Sequence, residues 1–241
     1  MVKPSSTAII QFLDVCYVAG DSLLLKSLTL EANERRIGVV GRNGSGKSTL
    51  ARLLCGLIKP SSGTVTINGV DVANDRQQAI HTVGMLFQNP DHQVIFPTVE
   101  EELIFGLQQM GQKKAQAIAE VKALLETFGM QDWLQRSIST LSQGQRHFVC
   151  LMAILLMKPK LIVLDEPYAG LDIPTTLQLN RYLQDVDATL IHISHHLETL
   201  SDYERIWWID NGQLKLDGTP SEVFPVFRQH MQTLGQTNVI L

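Results

Sequence analysis

The residues whose types and spacing point most directly to chemistry form a glycine-rich stretch at positions 41–49, which reads G-R-N-G-S-G-K-S-T. An apolar run at 37–40 precedes it, and apolar residues at helical spacing follow from Leu50. Between a strand and a helix, such glycines let backbone N–H groups converge on a phosphate, next to the positive end of the helix. The stretch therefore predicts a nucleoside triphosphate site rather than an ordinary glycine-rich turn. The residues expected to contact the nucleotide here are Gly41, Asn43, Gly44, Ser45, Gly46, Lys47, Ser48 and Thr49.

Lys47 has the reach for the β- and γ-phosphates, and the Ser48 hydroxyl can ligate Mg²⁺. Two adjacent carboxylates, Asp165 and Glu166, follow a continuous apolar run at 161–164 that is typical of a buried parallel strand. Carboxylates at such a strand end are costly unless a cation or a reaction uses them. Asp165 is expected to hold Mg²⁺ opposite Ser48, and Glu166 to deprotonate the attacking water. A solvated acidic pair at a turn is the alternative, which the upstream phosphate loop disfavours.

Three more polar or aromatic residues follow predicted strands. Gln88 can bind Mg²⁺ or the attacking water, or it can simply cap the chain. His195 can contact the γ-phosphate and is preferred to His196, whereas His192 has the opposite phase on its strand and is expected to be structural. Tyr17 can stack on an adenine ring or pack on the core, and the spacing favours neither.

A second candidate anion site lies at 141–145, where L-S-Q-G-Q begins a further helix. Ser142 and Gly144 would stand at its N-terminus, which favours anions. About a hundred residues separate this site from the first, so the two cannot easily reach one nucleotide within a single chain. By chemistry alone, Ser142 is better explained as a helix cap.

Composition restricts the remaining possibilities. The 241 residues are 44% hydrophobic and 18% charged with a net charge of −4, values typical of a globular protein. Because no basic stripe is present, nucleic acid is not expected as a partner. The three cysteines are an odd number without metal-binding spacing, and Cys55 and Cys150 are expected to be reduced core residues. The start lacks a signal peptide and the longest apolar run has ten residues, so the chain is expected to be soluble, with any membrane association through a partner.

The order of patterns predicts an α/β protein with a helical insert. Strand patterns at 8–41 and 64–88 precede a helical stretch at 98–140, and the helix at 141–157 follows it. Strands then alternate with a helix at 177–186, and two strands form a hairpin across Asn211-Gly212. A last short helix after Thr219 and a polar tail at 229–241 complete the chain.

These motifs together resemble the ATPase subunit of ATP-binding cassette (ABC) transporters. Residues 41–49 match the Walker A motif, 141–145 the family signature, 161–166 Walker B and 169–172 the D-loop. Gln88 matches the Q-loop, His195 the switch histidine and Tyr17 the adenine-stacking aromatic, while Gln143 replaces the usual glycine of the signature. The resemblance implies a P-loop NTPase of the ABC ATPase type. A parallel-sheet core with an antiparallel β subdomain would span about 1–97 and 158–228, and an α-helical subdomain about 98–157.

The resemblance also implies two cassettes facing head to tail, with a homodimer favoured. Ser142, Gly144 and Gln145 of one chain would contact the γ-phosphate of an ATP held by Lys47 of the other, which resolves the puzzle of the distant second anion site. Asp172 would couple the two sites across the interface. The groove after Gln88 would receive a helix of a membrane partner.

Further motifs resemble the ATPases of energy-coupling factor importers. They are F-Q-N-P-D-H-Q at 87–93, followed by T-V-E-E-E at 98–102 and Phe105-Gly106. Such importers take up vitamins or Co²⁺/Ni²⁺ with a transmembrane coupling protein and a substrate-capturing membrane protein. The short chain is similar to the biotin-system ATPase, so we expect it at the cytoplasmic face of the inner membrane. The alternatives are a cobalt or nickel importer ATPase, a soluble ABC clamp protein and a small-molecule P-loop kinase.

Overall fold

The computed structural model describes residues 7–236, which contain two sheets flanked by helices. The strands are β1 (Ile10–Ala19), β2 (Ser22–Ala32), β3 (Arg36–Val40), β4 (Ser62–Ile67), β5 (Val70–Asp71), β6 (Val83–Leu86), β7 (Leu161–Asp165), β8 (Thr189–Ile193), β9 (Arg205–Asp210) and β10 (Gln213–Gly218). The helices are α1 (Lys47–Leu54), α2 (Arg76–Thr82), α3 (Val99–Gln109), α4 (Lys114–Thr127), α5 (Gln143–Met157), α6 (Ile173–Asp185) and α7 (Pro220–Gln236).

The larger sheet has the strand order β10-β9-β3-β8-β7-β6, in which only the β9–β10 pair is antiparallel. Its central strands are buried on both faces, as the continuous apolar runs predict. Ligands of open α/β sheets bind beyond the carboxyl ends of the strands. The residues that follow β3, β7 and β8 therefore share one edge of this sheet.

The smaller sheet is antiparallel, with the order β2-β1-β4-β5. Asn68 and Gly69 both have positive φ and join β4 to β5, as the Asn-Gly signal predicts. Apolar residues of this sheet share one buried cluster with α1 and β3. Those of α3, α4 and one side of α5 form a separate cluster around Leu103, Val121 and Val149.

Several elements differ from the sequence expectation. The strand that was expected to reach Gln88 ends at Leu86, because the side chain of Gln93 accepts the Phe87 N–H at 3.2 Å and removes it from the ladder. Helix α2 was not anticipated. It begins at an Asp75 N-cap that accepts the Gln78 N–H at 3.0 Å.

The last helix is the largest difference, because a short helix and a polar tail from residue 229 were expected. Instead α7 has 17 residues and continues to Gln236, while 237–241 lie outside the described residues. The reason is tertiary packing: Phe227 and His230 of α7 each place their rings 5.2 Å from Trp208 on β9. Burial of an apolar stripe on that strand stabilises a helix whose exposed face is polar.

The buried His192 on β8 should make the free energy of unfolding sensitive to acid. Its ring is fully buried and Nδ1 lies 2.9 Å from the Tyr203 hydroxyl. Burial lowers the pKa of His192 from 6.5 to about 3, so the unfolded chain binds a proton more readily than the native one. Neutral His192 therefore contributes fully to stability above the pKa that it has in the unfolded chain. Below that pKa the free energy of unfolding decreases, by about 2 kcal/mol between pH 7 and pH 5.

His192→Asn should therefore reduce the loss of unfolding free energy between pH 7 and pH 5 by about 2 kcal/mol relative to the wild type. Urea unfolding at the two pH values measures it, and the comparison is independent of any constant cost of the substitution. His81 is exposed, so His81→Asn serves as the matched control. An unchanged pH dependence in His192→Asn would show that this imidazole does not cause the acid sensitivity.

Candidate nucleotide-binding and hydrolysis site

The glycine-rich stretch forms the turn between β3 and α1. Gly46 precedes α1 with φ +108, a left-handed conformation that glycine adopts without strain. Gly41 lies so close to β9 that a Cβ there would be 2.2 Å from the Ile209 carbonyl oxygen. Lys47 donates hydrogen bonds from Nζ to the carbonyl oxygens of Gly41 and Arg42, at 2.8 and 2.9 Å. The Lys47 ammonium group thus lies over the turn, where its positive charge would offset that of a bound anion.

Asp165 and Glu166 lie at the carboxyl end of β7, next to this turn. Burial raises the pKa of Asp165, while the nearby Ser48 hydroxyl opposes that shift. Burial also lowers the pKa of Lys47, against the opposing charges of Glu166 and Asp165. A serine hydroxyl, an ammonium group and two carboxylates therefore surround one small region, as the sequence predicts.

Glu166 has a strained backbone and well-defined partners. Its φ of +49 is uncommon for a residue with a side chain, and its N–H donates to the Ile193 carbonyl at 3.0 Å. Oε1 lies 2.8 Å from Nδ1 of His195, and Oε2 accepts the Ser194 hydroxyl at 3.5 Å. The Glu166 side chain is 14% exposed and that of His195 is 57% exposed. Strain of this kind accumulates at functional sites, and here it directs a carboxylate to an accessible imidazole.

Ser194 is a site residue that sequence reasoning missed. It is buried, and its hydroxyl accepts the His196 N–H at 3.1 Å while donating towards Glu166. Serine is common at strand ends, so no pattern in the sequence distinguishes Ser194 from a residue without a role in the site. His196 lies beside His195, with the two ring centres 3.9 Å apart and the rings tilted by 43°.

Gln88 and Tyr17 do not make such defined contacts. Gln88 is exposed, two positions beyond β6. Tyr17 is half-buried on β1, in register with Leu25, and packs partly against the apolar cluster of the smaller sheet. This contact matches the packing role considered for Tyr17, and the adenine-stacking role stays a prediction.

Ser142 begins α5 as a capping box. Its hydroxyl accepts the Gln145 N–H at 3.2 Å, and its own N–H donates to Oε1 of Gln145 at 2.9 Å. Ser142 is thus the helix cap that the chemistry of the sequence alone favours, and the Gln145 side chain completes it. Ser142 is exposed, so its helix N-terminus remains open to an external group.

The segment 169–172 packs beside this N-terminus. A Cβ on Gly144 would lie 3.0 Å from Thr175 and 3.7 Å from Leu171. A Cβ on Gly170 would likewise lie 3.0 Å from the side-chain amide nitrogen of Gln143. Asp172 caps α6 by accepting the Thr175 N–H at 2.9 Å, and these hydrogen bonds lower the pKa of its carboxyl group. The structure therefore brings the signature and the segment 169–172 together. Ser142 and Gln145 hydrogen-bond to each other at the start of α5, whereas Lys47 Nζ donates to the Gly41 and Arg42 carbonyl oxygens.

Comparison with known proteins decides the family. A family model described as ABC transporter matches residues 25–169. The biotin transport ATP-binding protein BioM of Rhodobacter capsulatus is 48% identical over 88% of this chain and 91% of its own length. The chain belongs to the ABC transporter family. It is an ATP-binding subunit in which ATP hydrolysis is coupled to transport, as the motifs predict.

Two further similarities agree with this ABC ATPase assignment. An energy-coupling factor transporter ATP-binding protein of Caldanaerobacter subterraneus is 36% identical over 89% of this chain and 81% of its own length. The solved structure of cbiO1 from Clostridium perfringens, described as part of the ABC transporter complex cbiONQ, has a TM-score of 0.77 and 25% identity, covering 96% of both chains. The predicted α/β fold of the P-loop ABC ATPase type is confirmed. Within residues 7–236, no helix of this ABC ATPase has the length and apolar character to span a bilayer.

Proposed function

We propose that this ABC ATPase powers an energy-coupling factor importer for a vitamin, with biotin favoured. The observation that carries the proposal is the 48% identity, over nearly the whole chain, to a biotin transport ATP-binding protein. The biotin transport ATP-binding protein BioM of Rhizobium etli is 36% identical over 91% of this chain. The ATPase would act at the cytoplasmic face of the membrane, bound to a transmembrane coupling protein and a substrate-capturing membrane protein.

The chemistry of hydrolysis follows from the positions of the polar groups. The P-loop amides and the Lys47 ammonium group would bind the β- and γ-phosphates of ATP. Glu166 would accept a proton from the attacking water through its carboxylate. His195, whose Nδ1 contacts that carboxylate at 2.8 Å, would hold Glu166 in place and contact the γ-phosphate. Gln88 would contact the water or the metal from the loop after β6.

Ser48 and Asp165 suit a Mg²⁺ ion that is shared with the phosphates. Among the described residues no group of three metal-binding side chains occurs, so a dedicated protein cage is absent there. Mg²⁺ in nucleotide sites is normally held by one or two protein oxygens, the phosphates and water. The Ser48 hydroxyl next to the partly buried Asp165 carboxylate fits that requirement. When bound, the ion would offset the charge of the phosphates.

The open N-terminus of α5 supports a head-to-tail dimer. Ser142 and Gly144 present an anion-favouring helix end, while Lys47 Nζ of the same chain is held by the carbonyl oxygens of Gly41 and Arg42. We infer that this end, together with Gln145, binds the γ-phosphate on a second copy. Asp172 would link the two sites. ATP binding would close the pair, and hydrolysis would reopen it.

An apolar groove beside the Q-loop is the proposed contact with the membrane partner. The groove has a volume of about 630 Å³ and is mainly apolar. Its lining includes Leu57, Ile80, Phe87, Ile95 and Phe105, of which Leu57 and Ile95 are 53% and 67% exposed. Exposed apolar patches of this kind mark interaction sites. The groove lies between the core and the proposed helical subdomain (about 98–157), while the core and β subdomain would comprise about 1–97 and 158–228.

Transport assays test the proposal. The chain would be co-expressed with the membrane proteins encoded beside its gene, in cells that lack their own biotin uptake, and accumulation of labelled biotin would be measured. We expect co-purification with the membrane proteins and uptake at least about tenfold above that of Lys47→Ala, because the variant loses a phosphate contact. Uptake of Co²⁺ or Ni²⁺ instead would replace biotin as the cargo. A chain that stays in soluble fractions despite its partners would favour the ABC clamp alternative.

A further inference from the structure

The turn of the β9–β10 hairpin, residues 210–212, lies directly against the phosphate-binding loop. The Gly212 N–H donates to the Ser45 carbonyl oxygen at 3.0 Å. Gly212 has φ +76, and a Cβ there would be 2.5 Å from the Leu24 carbonyl oxygen, so only glycine allows this approach. Ile209, just before the turn, sets the close contact with Gly41. The hairpin therefore fixes both ends of the segment 41–45.

Asp210 places a buried carboxylate at this junction. Its side chain is 7% exposed, and Oδ1 has no hydrogen-bond partner among the described residues. Oδ1 faces the Arg42 guanidinium, with Nε at 3.6 Å. Oδ2 accepts the Lys215 ammonium group at 3.3 Å. Burying a carboxylate is costly unless cations compensate it, and here one of the cations belongs to the phosphate-binding loop.

Arg42 connects Asp210 to the ATP-binding lysine. The carbonyl oxygen of Arg42 is one of the two groups that hold Lys47 Nζ, at 2.9 Å. We propose that Asp210 is a positioning residue of the ATPase: by holding Arg42 it fixes the part of the loop that places Lys47 for the phosphates. The inference rests on ATP binding at this loop.

Helix α7 also reaches Asp210, through His230. His230 Nε2 lies 3.9 Å from Oδ2 of Asp210 and 3.0 Å from Lys215 Nζ. Lys215 Nζ also lies 4.6 Å from the centre of the Trp208 ring. Packing of α7 thus restrains the lysine that shares the carboxylate with Arg42. This gives the unexpectedly long last helix a physical connection to the nucleotide site.

The direction in which Asp210→Asn changes ATP affinity shows whether Asp210 positions the loop or acts only through its charge. Removing a negative charge beside an anion site should tighten ATP binding if charge alone matters. If Asp210 positions the loop, Asp210→Asn should instead weaken it, raising the Kd of ATP about tenfold and the KM similarly, with kcat changed less than about twofold. Asp217→Asn is the matched control. Asp217 lies on the same hairpin but pairs with Arg205 at 2.6 Å, away from the loop.

The experiment measures ATP binding by calorimetry and steady-state hydrolysis on the full chain, with circular dichroism to confirm folding. An unchanged or lower Kd in Asp210→Asn would overturn the inference. In an Arg42→Met background, Asp210→Asn should add less than about twofold, because its partner is already gone; an additive effect would also overturn it. If Asp210→Asn does not fold, Arg42→Lys provides the test, because it keeps the positive charge but not the guanidinium group that faces Asp210: its Kd must rise with kcat retained, and an unchanged Kd contradicts the inference. Wild-type binding that Lys47→Ala does not weaken would contradict the ATP site itself.

Discussion

Glu166→Gln should bind ATP as the wild type does and hydrolyse it at least about a hundredfold more slowly, the usual contribution of a general base. The amide has almost the same shape and can still contact His195, but it cannot accept the proton of the attacking water. Binding is retained because the P-loop amides and Lys47 supply the phosphate contacts. The bound triphosphate would then persist and hold two copies together. Steady-state hydrolysis and size-exclusion chromatography with ATP measure the two effects.

Glu126→Gln is the control for Glu166→Gln, because it makes the same chemical change on an exposed face of α4. It should retain both turnover and a monomer–dimer equilibrium like that of the wild type. Normal hydrolysis by Glu166→Gln would remove Glu166 from the general-base role. A loss of ATP binding instead would assign the carboxylate to ligand binding, contrary to the proposed division between Glu166 and Asp165.

Local signals in the sequence were sufficient for most of the fold and for the centre of the site. The apolar run before Asp165 and the glycine pattern at 41–49 each specify their own strand and turn, because the required chemistry lies within a few residues. Parallel strands bring their carboxyl ends to one edge, so the neighbourhood of Ser48, Asp165 and Glu166 follows from strand order. The contact between Glu166 and His195 follows in the same way, since β7 pairs with β8.

The parts that could not be predicted depend on contacts between distant segments. Asp210 looks like an ordinary residue before an Asn-Gly turn, and only the fold places it beside Arg42. The polar segment 229–236 lacks a strong helix signal of its own, and it becomes helical because α7 covers Trp208 on β9. Propensity is a weak guide where tertiary packing supplies the stability. The strained φ of Glu166 could not be predicted either, since no sequence pattern marks it.

Ser142→Arg should strongly weaken ATP-driven dimerisation while the single chain still binds ATP. In the proposed dimer, the γ-phosphate held by Lys47 of one copy meets the first amides of α5 on the other. A long side chain at Ser142 would occupy that space and keep the two copies apart. We expect association with ATP to weaken by more than about tenfold, which corresponds to over 1.4 kcal/mol. Size-exclusion chromatography of the Glu166→Gln background, with and without Ser142→Arg, measures it.

Ser142 also caps α5, so a second variant has to separate the loss of the cap from the loss of the interface. Ser142→Asp keeps an oxygen that can accept the Gln145 N–H, and it places a negative charge where the partner's phosphate would lie. If the dimer forms through this helix end, Ser142→Asp must weaken it as well, although its α5 is capped. Ser139→Arg adds the same bulk at an exposed position nearby and should leave dimerisation unchanged. Dimers that form normally in both Ser142 variants would refute the head-to-tail arrangement. In that arrangement the γ-phosphate lies against Ser142, where neither a long side chain nor a second negative charge can be accommodated.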